Sequence, residues 1–195
     1  MMRIWTIGHS TRSVDEFISL LNENGIELLA DVRSFPGSRR YPHFGKAALA
    51  RSLNGHAIRY EHFPELGGRR KPKPDSHNTA WRNASFRGYA DYMETKEFQK
   101  GIERFLACAR NDGLGSRRDE RDGFEAVTPW PVAIMCAEAV WWRCHRALIS
   151  DFLKARGVEV LHVLGANKIE PHPYTSAAHI INGALSYGSE TDRLI

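Results

Sequence analysis

Apolar residues in this chain follow two rhythms. Short unbroken runs read as buried strands, and stretches with apolar residues three and four apart read as helices. The first run is 3–8 (RIWTIG). Ser13 and Glu16 then form a capping box ahead of Phe17, Leu20 and Leu21, and Gly25 stands where a helix ends. Residues 26–32 (IELLADV) are the next strand. This βαβ unit predicts parallel strands joined by a right-handed crossover.

A proline-bearing loop over 33–44 leads to a short helix over 46–53 and an alternating strand over 57–62. Residues 63–82 are irregular, with a Gly67-Gly68 pair. Such length inside a compact domain marks a functional or disordered loop. One long helix is predicted over 86–110, with Cys108 near its end as a packing residue, then an exposed excursion over 111–129. A buried strand over 132–136 (VAIMC), a helix over 144–156 and a strand over 158–164 (VEVLHVL) follow. The tail carries only a weak helical pattern, over 176–185. The order βαβαβαβαβ predicts an α/β fold: an open, mostly parallel sheet with helices on both faces, a Rossmann-like three-layer sandwich. Residues 1–195 read as a single domain.

Composition narrows the class. The 195 residues are 42% apolar and 26% charged, which is globular rather than disordered. No apolar stretch approaches the ~18 residues of a membrane helix. The start, MMRIWTIGHS, lacks the apolar core and cleavage site of a signal peptide, so a cytoplasmic location is expected. Three cysteines, Cys108, Cys136 and Cys144, cannot all pair within the chain and read as free thiols, core residues or ligands.

Charge changes the picture more. The total of 27 basic and 23 acidic residues gives +4. Residues 33–73 hold ten basic side chains against Glu61 and Glu65, so this stretch is +8 and the rest of the chain is −4. Arginine predominates in it, which suits bidentate contact with phosphate or carboxylate, although genomic base composition alone also produces such a bias. Phe35, Tyr41, Phe44, Tyr60 and Phe63 interleave with these charges, the combination used to bind single-stranded nucleic acid. The alternative is that the aromatics pack beneath the loop and the charges face water.

In parallel sheets, ligands bind outside the carboxyl ends of the strands. His9 and Ser10 follow the first strand, and Asp31, Arg33, Ser38 and Arg39 follow the second. Cys136, Glu138 and then Cys144-His145-Arg146 follow the fourth. His9, Asp31, Glu138 and Cys144 are therefore the candidate catalytic residues. Ser10, Arg33, Ser38, Arg39, His145 and Arg146 are the candidate anion-binding residues. Cys144 falls near a helix N-terminus, where free N–H groups lower a thiol pKa and attract anions.

Four readings of this cluster stay open. Cys144 is a nucleophile with a histidine base; or both cysteines and a histidine hold a metal, with Glu138 as general base; or Arg146 and the helix end bind phosphate, with Glu138 and Asp31 as the acid–base pair; or the cysteines merely pack and Glu138 pairs with Arg146. No metal ligand set is assigned, because the seven-residue gap between Cys136 and Cys144 fits no standard zinc spacing. The chain carries no Walker loop and no Gly-x-Gly-x-x-Gly fingerprint, so no cofactor is assigned.

Several of these pieces occur together in one known family. Thr6-Ile7-Gly8-His9-Ser10, Asp31-Val32-Arg33 with Pro36 and Ser38, Leu66-Gly67-Gly68, residues 86–93 (FRGYADYM), Cys136-Ala137-Glu138 and Cys144-His145-Arg146 resemble the DUF488 family, a domain of unknown function. His172-Pro173-Tyr174-Thr175 looks like its C-terminal signature. The resemblance implies a compact α/β domain and supplies no reaction. The leading expectation is an enzyme acting on a phosphate-bearing substrate, nucleic acid or nucleotide. The alternatives are a non-catalytic nucleic-acid-binding module on 33–73 and a Cys/His metal protein.

Overall fold

The computed structural model describes residues 2–37, 39–111 and 129–188. Six strands form one sheet in the order β3-β2-β4-β1-β5-β6. They are β1 (Arg3–Gly8), β2 (Leu28–Asp31), β3 (Arg59–His62), β4 (Val132–Cys136), β5 (Glu159–Gly165) and β6 (Lys168–Pro171). The first five run parallel, and β6 returns antiparallel to β5. The open, mostly parallel sheet expected from the alternation is what forms.

β1 and β2 are parallel but not adjacent, because β4 enters between them. All five residues of β4 are buried, as a strand covered on both faces requires. The registers align the carboxyl ends: Gly8 lies opposite Cys136, and Asp31 lies opposite both Met135 and His62.

Strand alternation sends side chains into two cores. Ile7, Leu29 and Met135 pack against helices α1 (Val14–Glu23) and α2 (Lys46–Asn54) through Phe17, Leu21 and Leu49. Leu28 and Ile134 pack the other way, against α3 (Ala84–Met93), α4 (Lys96–Arg110) and α5 (Arg146–Lys154). Among the described residues no helix is long and apolar enough to cross a membrane.

Besides β6, which the sequence did not mark as a strand, two elements differ from the sequence expectation. The single helix over 86–110 is two, because Thr95 steps into extended backbone and its hydroxyl accepts the Phe98 N–H at 3.3 Å. The apolar period runs on through this cap and so conceals it. The expected tail helix is instead a hairpin of β7 (His179–Ile181) and β8 (Ala184–Ser186). Its two-residue turn, Asn182-Gly183, has φ of 50° and 78°, the positive pair of a type I′ turn. The excursion over 111–129 lies almost entirely outside the described residues, and its flanks are joined by the Trp130 N–H to the Ala109 carbonyl at 2.9 Å.

A buried polar chain ties the tail to the sheet. Asp151 can only accept, which fixes the direction of every bond in it. His172 Nε2 donates to Asp151 at 3.1 Å, His162 Nε2 donates to His172 Nδ1 at 2.9 Å, and the Thr6 hydroxyl donates to His162 Nδ1 at 2.7 Å. Thr175 N and Oγ1 and the Tyr187 hydroxyl complete the Asp151 shell at 2.9, 2.7 and 3.0 Å. Trp141 stacks flat on His162 with centroids 4.4 Å apart.

Burial, then the neighbouring His172 and Arg146, push His162 down to about 2. An unfolded histidine titrates near 6.5, so below that pH the unfolded chain takes up a proton that folded His162 refuses. The resulting stability is whole above pH 6.5 and falls as pH drops, by roughly 2 kcal/mol at pH 5. Urea unfolding at pH 7.5 and 5 measures the loss, and His162→Asn should lose about 2 kcal/mol less than the parent over that interval. Equal losses in the two proteins would remove His162 as the cause.

Candidate functional site

The turn after β4 is the first component of the site. Arg146, at the start of α5 and only 1% exposed, donates from Nη2 to the carbonyls of Glu138 and Ala139. The same turn lies on Gly8, where a Cβ would stand 1.7 Å from the Glu138 carbonyl oxygen. His9 N and Ser10 N donate to the carbonyls of Cys136 and Ala137 at 3.0 and 2.9 Å. The β1 and β4 exits are therefore stitched together by backbone.

The second component is a buried arginine clamp. Asp31, fully buried at the end of β2, accepts Arg33 Nε at 2.8 Å, Arg33 Nη2 at 2.6 Å and the Arg33 N–H at 3.0 Å. The Tyr60 hydroxyl donates to Asp31 at 2.6 Å, and Arg33 Nη2 also donates to the Phe44 carbonyl at 2.9 Å. His9 Nδ1 donates to the Ser10 carbonyl at 3.1 Å, so its bare Nε2 faces Arg33 Nη1 at 3.4 Å. Burial first, then the Arg33 charge, push His9 down to about 4, and its ring stacks on Phe44. It is neutral at pH 7.

The third component is a thiol pair. Cys136 ends β4, and Cys144 precedes α5. The Cys136 and Cys144 sulfurs and one His145 ring nitrogen all lie within 4.8 Å of one another. His145 Nδ1 is 3.6 Å from Cys144 Sγ, and His145 Nε2 donates to the Val32 carbonyl at 3.2 Å. Burial opposes charge on Cys144, but Cys136, His145 and Arg146 outweigh it and hold its thiol well below the usual range. Cys136 gives its proton to the hydrogen bond with Cys144 and, being buried as well, sits well above that range.

These components meet in a cleft of about 220 Å³ lined by Arg33, Ser34, Phe35, Gly68, Arg69, Cys136, Ala137, Glu138 and His145. Phe35 is 74% exposed at its mouth, and Glu138 and Arg69 are exposed beside it. A larger cavity, about 480 Å³, lies between α3, α5 and the β7–β8 hairpin, away from these groups.

A family model, Domain of unknown function DUF488, matches residues 13–116 and 122–153. The chain belongs to the DUF488 family. No curated protein and no solved structure matches it. All nine lining residues of the cleft lie within the matched residues, whereas His9 and residues 172–175 fall outside them.

The DUF488 cleft gathers only some of the residues singled out in the sequence. Arg33, Glu138 and His145 line it, and Cys144 lies behind Cys136 at 4% exposure. His9 and Asp31 stand behind Arg33 and hold it. Arg146 holds the turn, through its guanidinium and the Glu138 carbonyl rather than the Glu138 carboxylate. Ser10 opens onto a separate shallow depression, Arg39 is exposed away from the cleft lining, and Ser38 lies outside the described residues. Of the interleaved aromatics, Phe44 and Phe63 are core and Tyr41 and Tyr60 are half-buried; Phe35 alone of the five is exposed.

Sequence reasoning passed over Arg69 and Phe35 as individual site residues, because neither differs in type from its neighbours on the loops. It also passed over Arg12, whose guanidinium ties the Gly8 and Leu164 carbonyls together.

The clamp makes a direct prediction. Asp31→Ala strands a buried guanidinium, which costs about 3–5 kcal/mol. Tyr60→Phe removes only one hydrogen bond to Asp31, for about 1 kcal/mol. Chemical unfolding of both variants checks the ratio, and comparable losses would show that Asp31 is not the principal partner of Arg33.

Proposed function

We propose that the cleft is the active site of a cytoplasmic enzyme acting on a phosphate-bearing substrate, a nucleotide or single-stranded nucleic acid. The observation that carries this reading is the meeting of Arg69, Arg33, Phe35 and Glu138 around one cleft at the carboxyl edge of a parallel sheet. Asp31 neutralises Arg33, so Arg33 contributes aimed N–H donors and Arg69 contributes the net charge. Phe35 offers an open ring on which a base stacks. The Glu138 carboxylate has no hydrogen-bond partner among the described residues and is free to move a proton at the substrate. Three free thiols fit a reducing compartment.

A second reading, a non-catalytic nucleic-acid-binding module, is supported by Arg39 and Arg40, both exposed on the same loop as Phe35. Fluorescence anisotropy with a labelled mixed-sequence single strand tests both. Binding should weaken linearly in log salt, and Phe35→Ala or Arg69→Ala should weaken it about 5–30-fold. Glu138→Gln should keep the binding and lose turnover of the strand or of nucleotides. Binding that Glu138→Gln leaves intact, with no turnover by the parent chain, favours the module. Absence of binding to the strand and to nucleoside mono- and diphosphates at low salt overturns both.

A further inference from the structure

We propose that Cys136, Cys144 and His145 form a mononuclear zinc site with its fourth position open to the cleft. The spacing argument against a metal applies to ligands carried on one local loop. Here the fold supplies them from two elements, the end of β4 and the start of α5, and brings three ligand atoms within 4.8 Å of one another. A tetrahedral zinc ion, with Zn–S of ~2.3 Å and Zn–N of ~2.0–2.1 Å, needs its sulfur and nitrogen ligands about 3.6 Å apart. Cys144 Sγ and His145 Nδ1 stand 3.6 Å apart.

The histidine is prepared as a ligand. Its Nε2–H is committed to the Val32 carbonyl, so Nδ1 is the ring nitrogen that faces the sulfurs. A second hydrogen bond of this kind fixes tautomer and ring orientation in metal sites. Tyr89 packs against the ring at 5.0 Å between centroids. At position 68 a Cβ would stand 2.8 Å from His145 Nδ1, so Gly68 keeps that nitrogen clear.

Ligand chemistry selects the ion. Two thiolates and an imidazole suit zinc, whereas magnesium, calcium and manganese take oxygen. Three protein ligands beside an open cleft match a catalytic zinc rather than a closed structural one. Cys136 and His145 line the same cleft as Glu138 and Arg69, so that cleft gives access to the remaining position. Zinc bound there supplies a Lewis acid and activates a bound water. The site stands apart from the nucleotide reading, since the ion is held whether or not the cleft takes a phosphate.

The test is titration of the reduced, untagged, metal-stripped full chain with cobalt(II), followed by zinc competition. One cobalt per chain should bind, with thiolate charge-transfer absorption and the visible bands of a tetrahedral ion, and zinc should displace it. Cys136→Ser and Cys144→Ser should each weaken binding more than ~100-fold, beyond the 10–100-fold of an outer-partner loss. Cys108→Ser and Arg69→Ala should leave it unchanged, so loss of nucleotide binding in Arg69→Ala with the cobalt spectrum intact separates the two proposals. No stoichiometric cobalt or zinc binding by the parent chain overturns the site. So does a spectrum insensitive to both cysteine substitutions.

Discussion

A buried cation held by backbone carbonyls, with no carboxylate partner among the described residues, ties this site together. Arg146 lies under the turn after β4 and gives its guanidinium to two backbone carbonyls, while its Nε has no partner among the described residues. Carbonyl dipoles only partly compensate a buried charge, so nearby groups respond to it. On one side the Arg146 charge adds to Cys136 and His145 in holding the Cys144 thiol low, and on the other it adds to burial and His172 in holding His162 neutral. The same side chain fixes where Glu138 leaves the sheet. Its position requires a strand exit without a Cβ beside it, and Gly8 provides one. The β1 exit, the β4 turn and the α5 start are thus one packing unit.

The second arginine solves the same problem differently. Arg33 lies in a matched shell of Asp31, the Phe44 carbonyl and neutral His9, so its charge is cancelled where it stands. What remains at the cleft is direction rather than field. That changes the meaning of the +8 stretch. Arg33 is neutralised, Arg59 pairs with Glu61, and Arg70 lies over the Tyr92 ring. Arg39, Arg40 and Arg69 keep their exposure, and Arg69 alone of these three lines the cleft. A linear charge count overstates the positive field there, because it adds the buried and paired residues to the free ones.

The fold was legible because local signals and tertiary demands agreed. β4 is apolar at every position and becomes central; Ser13 caps α1; Gly25 closes it with φ of 61°. Legibility failed where one signal masked another. Apolar spacing ran through Thr95, so a cap read as helix interior. At Asn182-Gly183 a weak helical pattern outweighed the strongest short-range hairpin dipeptide. For the site, the strand-end rule pointed to the sheet edge where the cleft beside Arg33 and Glu138 opens, and did not assign distances within it. It could not show that β4 inserts between β1 and β2, and that insertion is what puts Gly8 against Glu138 and Asp31 beside Met135.

The deeper reason is that polar residues at strand ends divide into those that face the cleft and those that hold the facing ones. Chain position does not separate these classes. Asp31 and Glu138 are both carboxylates following buried strands, yet Asp31 has both oxygens bonded and Glu138, among the described residues, has neither. The difference lies in backbone direction. Asp31 is the last paired residue of β2, so its side chain follows the strand alternation into the α1–α2 side, where Tyr60 and Arg33 meet it. Glu138 is two residues past the end of β4, on a turn whose carbonyl is captured by Arg146, and the capture turns its side chain outward. One acid is therefore part of the scaffold and the other stands exposed at the cleft, because a buried arginine takes the carboxylate in the first case and the carbonyl in the second.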